Sequence, residues 1–147
     1  MDMTKEKKIV RRSGKSILLA DDNQHIRQSL TELLIDNGYL VETVENGSRA
    51  YEQTLKNNYD LVILDISMPK MNGVEAVSAI REKKSDLPIL IISGRASPRE
   101  LYMAIKNGAI MFIGKPFTFD ELLSNIRNVL EVSKQPIKQG LKLSYTR

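Results

Sequence analysis

The sequence contains no cysteine in its 147 residues, which excludes disulfide staples and cysteine-ligated metal centres. It also lacks any apolar run approaching the roughly 18 residues of a membrane span. The first apolar stretch after the basic N-terminus is Ile17-Leu18-Leu19-Ala20, and it stops on Asp21-Asp22. That is shorter than the roughly 7–15 apolar residues of a secretory signal. These absences point to a protein of the reducing cytoplasm, held together by an apolar core and not by covalent cross-links. Hydrophobic residues make up 41% of the chain, enough for one compact domain with short extensions. There is no internal repeat and no low-complexity segment.

Acidic charge is scarce at both ends. Residues 1–15 hold six basic and two acidic side chains, and residues 131–147 hold four basic and one acidic. The chain carries a net +4, so removing the +4 and +3 of these ends leaves segment 16–130 at −3. The basic charge that could suggest nucleic-acid binding therefore sits outside the folded part, where it reads as solubilising arms or linkers.

What is present is an alternation. Five short runs rich in Ile, Leu and Val occur at Ser16–Ala20, Tyr39–Val44, Asp60–Asp65, Pro88–Ser93 and Ala109–Ile113. Such runs, bounded by polar or turn residues, read as strands of a parallel sheet covered on both faces. Helical patterns lie between them. Ile26, Leu30, Leu33 and Leu34 share a helical face that stops at Asn37-Gly38, and Asn46-Gly47 opens a second helix running to about Asn57. Asn72 with Glu75 opens a third. Ser97-Pro98-Arg99-Glu100 opens a fourth that ends at Asn107-Gly108, and Thr118 with Glu121 opens a fifth. The fold class is therefore α/β: a doubly wound, five-stranded parallel sheet with helices on both faces. Of the two common strand orders for such sheets, the flavodoxin-like 2-1-3-4-5 is the one expected here. Residues 15–131 form the domain, 1–14 a basic extension and 132–147 a tail or linker containing Pro136 and Gly140.

Open sheets of this kind bind ligands beyond the carboxyl ends of their strands. The first strand ends in Asp21-Asp22, the third in Asp65 and the fourth in Ser93-Gly94, while Lys115-Pro116 follows the fifth. Strands 1 and 3 are neighbours in this order, so their carboxylates converge, and strands 4 and 5 bring the hydroxyl and the ammonium to the same edge. Close carboxylates need a compensating charge, which a hard divalent cation such as Mg²⁺ and Lys115 would supply. A carboxylate beside such a cation can act as a nucleophile toward phosphorus. Each element alone has a plain structural reading: a turn for Asp21-Asp22, a cap for Asp65 or Ser93, a solvated charge for Lys115, a core aromatic for Phe112. Their ordered combination is what points to chemistry.

The stretches ILLADDNQHIRQSL, YDLVILDISMPKMNGVEAV, PILIISG and NGAIMFIGKPFTFDEL resemble the receiver domain of response regulators over about residues 15–131. The resemblance implies that Asp65 is an aspartyl phosphate acceptor and that Asp21 and Asp22 are the acidic pair at Mg²⁺, with Asp22 the preferred direct ligand. It also implies coordination by the backbone carbonyl of Ser67, a switch hydroxyl at Ser93, a switch aromatic at Phe112, and Lys115 paired with the phosphate before a cis proline. Serine stands where threonine is common, and phenylalanine where tyrosine is frequent. The implied protein is a signalling switch and not an enzyme of turnover. Its implied donor is a sensor histidine kinase or a histidine phosphotransfer protein. Its output is a protein contact through the face of the fourth helix, fifth strand and fifth helix, with Tyr102, Met103, Lys106 and Phe119 as candidates. A phosphorylation-dependent homodimer is compatible with that face; a membrane or a specific nucleic acid is not expected as a partner. Three rivals stand beside this reading: the receiver module of a longer regulator with a DNA-binding or enzymatic output, a degenerate interaction module, and a phosphohydrolase. A phosphohydrolase of the haloacid-dehalogenase type would want a second Asp where Ser67 stands.

Overall fold

The computed structural model describes residues 14–66, 68 and 71–132. The expectations for residues 1–13, for Ser67 and for 133–147 lie outside the described residues. Five strands alternate with five helices: β1 (Ser16–Ala20), α1 (Gln24–Asp36), β2 (Leu40–Val44), α2 (Gly47–Lys56), β3 (Leu61–Asp65), α3 (Gly73–Lys83), β4 (Ile89–Ser93), α4 (Pro98–Lys106), β5 (Met111–Gly114) and α5 (Phe119–Val132). All strand pairs are parallel, as the alternation predicts, and the order is β2-β1-β3-β4-β5, the expected one of the two common arrangements.

The two-residue period of a strand sends successive side chains to opposite faces, and the three central strands use both. Ile17, Leu19, Leu61, Ile63, Leu90 and Ile92 meet Leu30 and Leu34 of α1 and Leu122, Ile126 and Val129 of α5. Leu18, Ala20, Val62, Leu64, Ile89 and Ile91 meet Ala50 of α2, Ala76, Val77 and Ile80 of α3, and Ala104 of α4. Double coverage explains why these runs are apolar throughout instead of alternating. β2 lies at one edge, and Leu40 there is 60% exposed.

Local chemistry sets the helix starts. Asn23, Asn46, Asn72 and Ser97 each accept a hydrogen bond from the N–H three residues on, and Glu75 and Glu100 complete reciprocal capping boxes. Thr118 accepts from the Glu121 N–H at the start of α5. β5 begins two residues later than the sequence pattern implies. The Ala109 N–H donates to the Ala104 carbonyl, closing α4 through Gly108 at φ +123°, so that residue belongs to the helix end.

Candidate phosphoryl-transfer site

The carboxyl ends of β1 and β3 lie side by side, with Ala20 in register with Leu64. Each chain therefore delivers its next acidic residue to one place. Asp21, Asp22 and Asp65 each offer a carboxylate oxygen, and these oxygens lie within 4.8 Å of one another. Asp21 is fully buried and Asp65 is 5% exposed, whereas Asp22 faces solvent. Lys115 reaches in from beyond β5, its Nζ 3.4 Å from Asp21 Oδ2 and 3.3 Å from Asp65 Oδ2. The Lys115–Pro116 peptide bond is cis.

The electrostatics favour a further cation. Burial pushes the Asp21 carboxyl above the usual carboxylate range; the N–H of Asn23 pulls it back, Asp65 raises it further, and Lys115 opposes that rise. Three carboxylates against one ammonium leave an excess of negative charge in a confined site. The donors are hard oxygens on two strand ends with one exposed carboxylate at the mouth, a set that fits Mg²⁺ with part of its water shell retained. Asp21, Asp22 and Asp65 line a cleft of about 560 Å³ together with Asn23, Ile26, Gly94, Arg95 and Lys115.

Ser93 and Phe112 stand on the neighbouring strand ends. Ser93 is in register with Gly114 and nearly buried, and its Oγ accepts from the Ala96 N–H at 2.9 Å. Phe112 is half-buried and packs with the cluster beneath α2, α3 and α4. Sequence reasoning passed over Arg27. Its Nη1 donates to the Asp21 carbonyl at 2.7 Å, tying α1 to the turn that carries the acidic pair. The available signal was its place in the first turns of a helix capped by Asn23.

Residues 17–127 match the family described as the response regulator receiver domain. The chain belongs to this family. Among similar proteins, the response regulator MprA of Mycobacterium leprae is 37% identical over 118 residues, 80% of this chain and 52% of that protein. The protein of the same name from Mycobacterium sp. (strain KMS) is 38% identical over 114 residues, 78% of this chain and 50% of that one. The chain thus spans about half the length of these curated relatives. Among solved structures, a CheY-like response regulator receiver domain protein from Methanospirillum hungatei JF-1 superposes with a TM-score of 0.81 at 26% identity, over 83% of this chain and 98% of that one. The Vibrio cholerae chemotaxis protein CheY4 gives 0.75 at 34% identity, over 80% and 99%. As a receiver, the chain is classed among the signalling switches of two-component systems. Among its described residues no helix is long and apolar enough to cross a membrane.

Proposed function

We propose that this chain is a phosphorylation-activated receiver in which Asp65 takes a phosphoryl group from the phosphohistidine of a sensor histidine kinase or phosphotransfer protein. The convergence of Asp21, Asp22 and Asp65 around the Lys115 ammonium carries this reading. In the reaction an Asp65 carboxylate oxygen attacks phosphorus, the P–N bond breaks, and its electron pair returns to the donor imidazole. Asp21 and Asp22 would hold Mg²⁺, with Asp65 and the Ser67 carbonyl. Bound there, the ion supplies the positive charge that lets a dianionic group approach three carboxylates. Lys115 already contacts Asp65 and pairs with the phosphoryl oxygens as they arrive. The Ser93 hydroxyl accepts from Ala96 and keeps one hydrogen to donate to a phosphoryl oxygen.

Phosphorylation adds about −1.5 to −2 charges. That charge biases the Ser93 loop and Phe112, which flank the face of α4, β5 and α5. Tyr102 and Phe119, 63% and 51% exposed, belong to that face with Met103 and Lys106, and they suit a downstream protein partner or a phosphorylation-dependent second copy. We take 15–131 as the receiver unit, with 1–14 and 132–147 as flanking segments, in the cytoplasm.

A second reading follows from the relatives' length. Since the chain covers about half of each MprA, it also fits the receiver module of a longer regulator with a separate output domain. The phosphotransfer chemistry is the same in both readings. Incubation with acetyl phosphate and Mg²⁺ should add one phosphoryl group by intact mass, and Asp65→Asn should add none. Equal labelling of the Asn variant, or full labelling in excess EDTA, refutes the mechanism.

A further inference from the structure

We propose that Arg27 is the positioning residue of the acidic pair: it fixes the peptide between Asp21 and Asp22 and so sets how tightly the site takes Mg²⁺. This inference rests on the phosphotransfer reading, whose cation it concerns. β1 ends at Ala20, so the carbonyl of Asp21 has no strand partner, and no backbone N–H among the described residues donates to it. Asp21 is fully buried, so water cannot serve that oxygen where it stands. Arg27 serves it instead, with Nη1 2.7 Å away. An ionised donor makes this one of the stronger hydrogen bonds.

The helix supplies the reach. The Arg27 N–H donates to the Asn23 carbonyl in the first turn of α1. Helical side chains lean toward the N-terminus of their own helix, which brings the guanidinium back over the turn that precedes α1. The other contacts of that turn lie on either side of the peptide in question. The Asp21 N–H donates to the Val44 carbonyl at 3.2 Å, and the Asn23 N–H donates to Asp21 Oδ1 at 2.9 Å. Neither holds the Asp21–Asp22 peptide itself.

Asp22 inherits its aim from that peptide. The residue is exposed, so packing does not fix its side chain. Without Arg27 the buried carbonyl loses its partner. Turning it toward water rotates the peptide and swings Asp22 away from Asp21 and Asp65. With Arg27 in place, the three carboxylates offer oxygens within 4.8 Å of one another, an arrangement that suits a small hard cation.

One side chain thus acts on the cation in two opposed ways. Its positive charge, taken alone, disfavours Mg²⁺, while its hold on the peptide favours it. The charge is screened, because Arg27 is only half-buried and borders a cleft of about 290 Å³ shared with Arg49. Groups that hold a metal ligand in place are worth about 10–100-fold in metal affinity. Positioning therefore wins, and removing the positive charge at residue 27 weakens cation binding instead of tightening it.

Mg²⁺ titration of the full chain, followed by NMR amide shifts, tests this sign. Arg27→Met keeps the stem of the side chain and removes its charge and donors; its Mg²⁺ affinity should fall about tenfold or more. Arg49→Met, on the same cleft, removes an equal charge and should not weaken binding. In EDTA, the Asp22 amide order parameter should drop from about 0.85 in the parent to below about 0.6 in Arg27→Met. At saturating Mg²⁺, acetyl phosphate should label Asp65 of Arg27→Met at close to the parent's rate, so the loss lies in cation affinity and not in the transfer step. Should Arg27→Met melt too low to titrate, Arg27→Gln carries the same expectations. Parent-like or tighter Mg²⁺ binding in the neutral variant, an equal loss in Arg49→Met, or an unchanged Asp22 order parameter overturns the proposal and leaves the phosphotransfer reading intact. A parent that neither binds Mg²⁺ nor labels on Asp65 overturns both.

Discussion

At the residue scale, Asp21 and Lys115 occupy one site but bear on the protein in opposite ways. The Asp21 carboxyl is buried, and folding raises its pKa above the ordinary value. The native state therefore holds its proton more tightly than the unfolded chain, and stability falls as pH rises through the interval between the two values. Without divalent ions, Asp21→Asn should melt above the parent at neutral pH, by a gain on the order of 1 kcal/mol or about 4 °C. The gap should close as pH falls below the ordinary carboxylate range. Thermal melts in EDTA across pH check this, and a gap that widens in acid would contradict the assigned cause. The same variant should bind Mg²⁺ more weakly in calorimetry. Lys115 is partly exposed, with contacts of 3.3 and 3.4 Å to its two carboxylates. Lys115→Ala should leave the fold and Mg²⁺ binding in place while weakening the phosphate-driven change, since a charge-assisted contact to the phosphoryl group is lost. A collapse of the melting temperature comparable to a core deletion would instead make Lys115 mainly structural.

At the scale of elements, Gly47 shows a local rule overridden by a neighbour. It opens α2, where helix propensity alone makes Gly→Ala stabilising by up to about 1 kcal/mol. A Cβ at Gly47, however, would run into the backbone carbonyl oxygen of Met71 and come within 3.1 Å of the Ala76 Cβ. Met71 precedes the Asn72 cap of α3 and sits at a φ of +22°, so this backbone has little room to yield. Gly47→Ala should therefore destabilise the domain by about 1–3 kcal/mol, read as a shift in the urea midpoint at constant slope. An increase in stability would show that the loop yields freely. The Asn46-Gly47 pair reads from the sequence as a helix opening, and it is one; the close approach of α2 to the β3–α3 loop comes only from the packing of the two helices on one face of the sheet.

At the scale of the whole molecule, charge is segregated by segment: 16–130 carries −3 while the ends are basic. Duplex DNA should accordingly bind only weakly through the ends, without sequence preference, and with steep loss as salt rises. Titration against mixed genomic fragments at about 150 mM salt measures this. Sequence-selective binding that survives removal of residues 1–14 and 132–147 would overturn it. The apolar runs, the helix openings at Asn46, Asn72 and Ser97, and the breaks at Gly38 and Gly108 were legible in the sequence because each depends on residues within a few positions; the Asn23 cap of α1 came only from the structure. So was the doubly wound class, since fully apolar strands alternating with amphipathic helices have few other ways to bury themselves. The carboxylates of Asp21 and Asp65, 44 residues apart in the chain, could be named from their places at strand ends. Tertiary structure alone decided that Asp21 is buried and Asp22 exposed, that Ser93 turns its oxygen to Ala96, that Arg27 holds the Asp21 carbonyl, and that Gly47 has no room for a methyl group. These depend on strand register and on the approach of helices across the sheet, distances that no local pattern in the chain contains.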